Sequence, residues 1–401
     1  MVRGRWRPCV IFVYYVLAVV LVEQILISTV HRQQLPPADN ATTDRNNTPL
    51  VVDAHRTKAL RTTTTTILPT STTTSLVSSI SPVARAVTKP VVRPSVSLSK
   101  EQQEDIFYRR RAQPVNHYLH RVLLEPKQLC LPNTTMIILV HSHHPHTDRR
   151  RAIRSTWGQA VRTAIWPNER RNRSCAGLQL AFVFGRHRDP GLNDLIYEEL
   201  HHYDDVIQGD FVDSYQNMTL KSLLGLKVVD ERCPNVSYLL KTDDDMVVNL
   251  PYLLQLLANK TLQRSIMGPL NVGSRVYRQG KWKLSKDEFP FDVFPPYESG
   301  SAYVITGDLI HELYVTAEYV PYIHVDDVYI TGILGRILGV NHVQQKGFAF
   351  WTSSPPTACQ MLMDEVVTGT KMLPQNLFAL WDNFQKNINC SQSVNFIFNL
   401  Q

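Results

Sequence analysis

The 401-residue chain is 43% hydrophobic and 19% charged, with a formal net charge of +7. This apolar content can fill a sizeable core and excludes a wholly disordered chain. The positive balance suits anionic partners such as nucleotides or a membrane surface, and the lack of Cys-x-x-Cys pairs or Cys/His clusters at zinc spacing argues against zinc fingers and c-type haem.

Arg3, Arg5 and Arg7 precede an apolar run from Cys9 to Val30, broken only at Glu23 and Gln24. At ~1.5 Å per residue, such a helix extends about 33 Å and spans a bilayer. No small-x-small cleavage site follows closely, so an uncleaved signal-anchor is expected in preference to a cleaved signal peptide. The arginines place residues 1–8 in the cytoplasm and the rest in the lumen. Asn-x-Ser/Thr recurs at Asn40, Asn46, Asn133, Asn172, Asn217, Asn235, Asn259 and Asn389, as suits a luminal chain. Beyond Cys9 lie Cys130, Cys175, Cys233, Cys359 and Cys390. In an oxidising lumen, that odd number gives two disulfides and one further thiol, free or intermolecular, which permits a disulfide-linked homodimer.

Residues 31–132 read as a Ser/Thr/Pro-rich luminal stem: Thr62 to Thr66 is unbroken threonine, and Pro69, Pro82, Pro90 and Pro94 recur. Such a stretch cannot bury a core. From 133 to 401 the pattern is globular. Strands are predicted over 136–140, 178–185 and 238–241, and helices over 150–157, 193–203, 217–229 and 250–258. Strands alternating with helices predict an α/β domain with a mostly parallel central sheet.

Lys241-Thr-Asp-Asp-Asp245 is the most informative stretch. Its carboxylates follow an apolar strand, and strand carboxyl ends line the ligand crevice of an α/β sheet. On an extended chain Asp243 and Asp245 point the same way, a hard-oxygen pair suited to Mn²⁺ or Mg²⁺ bridging a diphosphate. The alternative is a solvated acidic turn. Asp326 and Asp327 form a second acidic pair in an apolar setting. A carboxylate against an apolar wall can serve as general base, while Asp before an apolar run also caps a helix; adjacent residues can divide the two roles. Between these motifs, Phe294-Pro-Pro-Tyr-Glu-Ser-Gly300 makes a rigid aromatic turn.

Taken in order, the motifs resemble the β1,3-glycosyltransferases of family 31. The resemblance is carried by Arg150-x-x-Ile-Arg154-x-Thr-Trp157, Phe184-Gly185, Asp210-Phe-x-Asp213-Ser-Tyr215-x-Asn-Met-Thr-x-Lys221, Lys241-Thr-Asp-Asp-Asp245, Lys281-Trp282, Pro295-Pro-Tyr-x-Ser-Gly300 and Asp326-Asp-Val-Tyr-x-x-Gly332. It implies a GT-A fold, a UDP-sugar donor, Mn²⁺ and a Golgi type II topology. Two departures stand out: Glu298 occupies the place where the family's galactosyltransferases usually carry Cys, and a histidine of some relatives falls here at about Gln345, with His342 nearby. The tail from about 350 matches no motif.

The resemblance implies inverting transfer of a hexose, galactose, to a glycan hydroxyl on protein or lipid. Asp245 and Asp243 are the expected metal ligands, and Asp327 the expected base, with Asp326 as fallback. The expected donor-binding residues are Arg154, Asp213, Tyr215, Lys241, Asp243 and Asp244; Arg154 and Lys241 equally suit a structural role. No nucleic acid partner is expected. The alternatives are an N-acetylglucosaminyltransferase, a luminal binding protein that kept the fold without activity, and a phosphohydrolase using Asp243-x-Asp245.

Overall fold

The computed structural model describes residues 98–116, 121–168, 173–348, 354–386, 388 and 390. The expected anchor at 9–30 and most of the expected stem lie outside the described residues.

The strands in chain order are β1 (Val122–Leu124), β2 (Met136–His141), β3 (Leu178–Arg186), β4 (Val206–Val212), β5 (Tyr238–Asp243), β6 (Val247–Val248), β7 (Ser265–Gly268), β8 (Leu270–Asn271), β9 (Tyr297–Glu298), β10 (Ala302–Thr306), β11 (Asn341–Gln344) and β12 (Thr368–Gly369). Eight of them form one sheet in the order β1-β4-β3-β2-β5-β10-β7-β11. β4, β3, β2 and β5 run parallel, as do β7 and β11, while β10 is antiparallel to both its neighbours and β1 to β4. The class is therefore α/β with a mixed, mostly parallel sheet.

Every residue of β2 is buried. A parallel strand covered on both faces reads as one continuous apolar run, which is why its sequence was legible. Its side chains alternate: Ile137 and Leu139 enter one core, and Met136, Ile138 and Val140 the other. The first core is closed by the helices Met218–Arg232 and Gly307–Ala317, the second by Thr147–Ser155, Trp157–Thr163, Leu250–Ala258 and Pro374–Gln385.

Three expectations change. The single helix expected over 150–157 is broken at Thr156, whose φ of −120° and ψ of −116° separate one helix from the next. The globular region begins before residue 133: β1 pairs with β4, Cys130 is bonded to Cys233, and Phe107 of the Lys100–Phe107 helix packs edge-on to Phe289 and Phe291. These 98–132 segments are too short and too polar to announce themselves as core. The unmatched tail is integral as well. Leu377, Leu380, Trp381 and Phe384 fill the second core, Cys359 is bonded to Cys390, and β12 pairs with β6. Cys175 is 0% exposed within that core, so it is out of reach of a second chain and supplies no link for the expected disulfide homodimer.

Candidate active site

β5 delivers Lys241 and Asp243 to the carboxyl edge of the parallel strands, and Asp244 and Asp245 follow in a turn before β6. The extended-chain argument for Asp243 and Asp245 therefore does not apply, yet the turn brings both to one pocket. Lys241, 4% exposed, donates to the Asp243 Oδ1 at 2.7 Å and the Gly300 carbonyl at 2.5 Å, and lies 3.8 Å from Asp326 Oδ2. Burial pushes Asp243 up to about 6 despite this ammonium. Asp244 turns aside: it accepts from Ser142 Oγ at 2.7 Å and Arg149 at 3.0 Å and meets His146 Nδ1 at 2.8 Å. Burial acts to raise its pKa, but the His146 and Ser142 contacts and the Arg149 charge outweigh it and hold the carboxyl below its usual range. Asp245 keeps 38% of its side chain exposed, 3.8 Å from Arg149. The tail fixes its backbone, since Met372 N–H donates to the Asp245 carbonyl at 2.9 Å.

Asp326 and Asp327 open the helix that continues as the fully buried π-helical segment Val328–Leu334. Wide helical turns of this kind concentrate at functional sites. Asp326 accepts from Ser222 Oγ at 2.8 Å. Asp327 caps the segment through Oδ1, taking its neighbour Val328 N–H at 2.8 Å, while its Oδ2 takes Gly300 N–H at 2.7 Å. Burial, reinforced by Asp326, pushes Asp327 up to about 7, against the pull of the two amides and Lys241. Capping and a raised carboxyl pKa thus reside in the same residue.

The cleft has two parts, one around Asp327 and one around Asp245, which share Tyr215, Met218 and Asp243. The first is lined by Lys241, Trp282, Tyr297, Gly300, Asp326 and Asp327, the second by Asp213, Lys221, Asp244 and Asp245. Burial raises the Tyr215 hydroxyl pKa, and Lys281 Nζ sits 4.3 Å over its ring. Asp213 acts as a tie, accepting from Gly185 N–H and Lys221 Nζ, both at 2.9 Å. Lys221 also donates to the Ser142 carbonyl at 2.7 Å.

Arg154 lines neither side. Two 2.8 Å hydrogen bonds tie its guanidinium to Asp205, with Glu199 at 2.8 Å and the Tyr203 ring at 4.0 Å. Of its two sequence readings, the structure gives the brace. Glu298 is fully buried, with both carboxylate oxygens 3.0 Å from His342 Nδ1; so His342 faces Glu298. Sequence reasoning missed Ser222, the Gly300 amide as a partner of Asp327, and the Ser142, His146 and Arg149 shell around Asp244. Nothing local marks a serine that meets a carboxylate 104 residues away.

Residues 148–346 match the family model described as Galactosyltransferase. The chain is 29% identical over 307 residues to human Beta-1,3-galactosyltransferase 1, covering 74% of this chain and 89% of that protein. It is 36% identical over 207 residues to Beta-1,3-galactosyltransferase 5 of Pan paniscus, covering 50% of this chain and 65% of that one. A solved glycosyltransferase involved in glycosylation of the major capsid of PBCV-1 aligns at 9% identity and a TM-score of 0.32 over 62% of this chain and 98% of that one, too low to argue from.

Proposed function

The chain belongs to glycosyltransferase family 31, the β1,3-galactosyltransferase family, and from that premise we propose that it transfers galactose from a UDP-sugar to a glycan hydroxyl with inversion, on a GT-A type fold. The observation that carries the reading is a half-buried carboxyl at Asp327, poised near neutrality, in one cleft with the acidic turn at 243–245. The acceptor hydroxyl gives its proton to Asp327 as its oxygen bonds to the anomeric carbon; the bond from that carbon to the phosphate oxygen breaks on the opposite face, and UDP departs with the electron pair. Asp326 is engaged by Ser222 and Lys241, which favours Asp327 as the base.

The residues present fit a hard divalent cation such as Mn²⁺. Asp243, Asp244 and Asp245 all line the Asp245 part of the cleft, the donor side in this reading, where Ser142 and Arg149 already engage the Asp244 carboxylate. His143, His144 and Asp213 also bring ligand atoms within 4.8 Å, but Lys221 and the Gly185 amide already engage that carboxylate. When bound, the cation neutralises charge on the departing diphosphate. Lys241 offsets the acidic cluster and holds the Gly300 carbonyl, while Tyr215 and Trp282 offer flat faces to a sugar or base.

A Golgi membrane location, with residues 9–30 as a type II anchor and the domain luminal, completes the reading. The N-acetylglucosamine donor and the non-catalytic binding protein are the competing outcomes. Incubating the secreted 98–401 fragment with a panel of UDP-sugars, Mn²⁺ and mixed glycan acceptors tests them together. Chelator-sensitive UDP release from UDP-galactose supports the proposal. Release from UDP-N-acetylglucosamine alone corrects the donor, and UDP binding without release from any donor makes the protein a binder.

A further inference from the structure

We propose that the buried Glu298–His342 pair is a positioning device for Asp327, locking the turn that supplies the Gly300 amide to the base. The proposal rests on the reading of Asp327 as the base.

Glu298 is 0% exposed, and burying a carboxylate costs several kcal/mol unless it is paired. Its partner is His342 Nδ1, 3.0 Å from each oxygen, across 44 residues of chain. Glu298 closes β9, two residues before Gly300, and His342 lies in β11 at the sheet edge, where it pairs with Ile266 of β7. One glycine makes room for the link. A Cβ on Gly268 would lie 3.0 Å from Glu298 Cγ and 3.1 Å from Tyr303 Cβ. The pair therefore joins the β9 turn to the sheet edge.

The backbone carries this fixation to the base along two routes. Glu298 N–H donates to Thr331 Oγ1 at 3.0 Å, and that hydroxyl donates to the Asp327 carbonyl at 2.7 Å. Ser299 N–H is anchored on the Pro269 carbonyl at 3.1 Å, and Gly300 N–H then reaches Asp327 Oδ2 at 2.7 Å. A hydrogen bond to the ionised form favours it. Loosening the turn would therefore leave Asp327 harder to ionise, among Asp326, Lys241, Tyr215, Tyr297 and Tyr303, the charged and titratable groups that act on it. Neither Glu298 nor His342 lines the cleft beside the base, so the pair acts through the turn and is not catalytic itself.

The test compares the wild type with Glu298→Gln and His342→Gln, both near-isosteric. Transfer is followed from pH 5 to 9, with UDP affinity and melting temperature measured alongside. In both variants the acid limb of the rate profile should move up by about half to one pH unit, with a several-fold loss of kcat and UDP affinity within about twofold. A fall in melting temperature or plateau rate with the limb unmoved would make the pair structural filling and overturn the proposal, as would unchanged kinetics. The carboxyl titration of Asp327, followed by carbon-13 NMR on labelled protein, must show the same upward shift. This readout needs no turnover. A wild type silent toward every UDP-sugar therefore defeats the proposed reaction, while the NMR shift still decides the role of the pair.

Discussion

Gly300 donates its backbone amide to the Asp327 carboxylate at 2.7 Å, across 27 positions of sequence. The bond offsets some of the burial cost and leaves Asp327 near pH 7. A base must be ionised to accept a proton, so kcat/KM should rise with pH, at most tenfold per unit, and level off above about pH 7. Asp327→Asn should cost roughly 10²- to 10⁴-fold in kcat with UDP binding retained. If that variant stays active while Asp326→Asn fails, the two acids exchange roles.

Asp245→Ala should weaken cation-dependent UDP binding by at least about tenfold, because the exposed side chain of the acidic turn is lost from the donor pocket. Calorimetric titration of UDP with and without Mn²⁺ measures it. Equal affinity for the variant and the wild type would remove Asp245 from the site.

Lys241→Met should destabilise the domain by about 3–5 kcal/mol at pH 8, since it strips a buried cation from Asp243, Asp326 and Asp327. The loss should shrink toward pH 5, where the raised carboxyls at about 6 and about 7 take up protons and no longer need the cation. Thermal melts at both pH values decide the sign; a pH-independent loss would point to packing.

Much of this architecture was legible because its components are local. β2 and β3 are apolar runs, and the acidic triplet follows one such run directly. What escaped is what the topology assembles: β4 carries Gln208, Gly209 and Asp210 within a strand, and its buried Gln208 finds its partners, Gly185, Asn193 and His144, on other elements. β7 and β10 are four and five residues long, too short to show a period. Arg154 sits in a motif that resembles one of the family, yet its partner Asp205 lies 51 positions away, so only the folded chain separates brace from ligand contact.

Removing the Cys130–Cys233 bond, for example by Cys130→Ser, should lower stability by about 2–5 kcal/mol, because it closes a loop spanning 103 residues. It ties the segment carrying β1 to the end of the Met218–Arg232 helix. A melting temperature unchanged from wild type would mean that the bond is dispensable.

If the domain is luminal, peptide mapping should find glycans at the exposed Asn133, Asn235 and Asn259 but not at Asn217. The Asn217 amide donates to the Val212 carbonyl, and its sequon hydroxyl, Thr219 Oγ1, is buried on the Ile323 carbonyl. An unshifted band after glycosidase treatment would remove the luminal reading.

Lys221 and Ser222 are consecutive on one helix, yet they serve opposite sides of the cleft: the first holds Asp213 and the Ser142 carbonyl, the second Asp326. That single turn works as an axle. Any rotation of the helix would displace the Asp213 wall and the Asp326 wall in concert, so neither part of the cleft can shift along that face without the other.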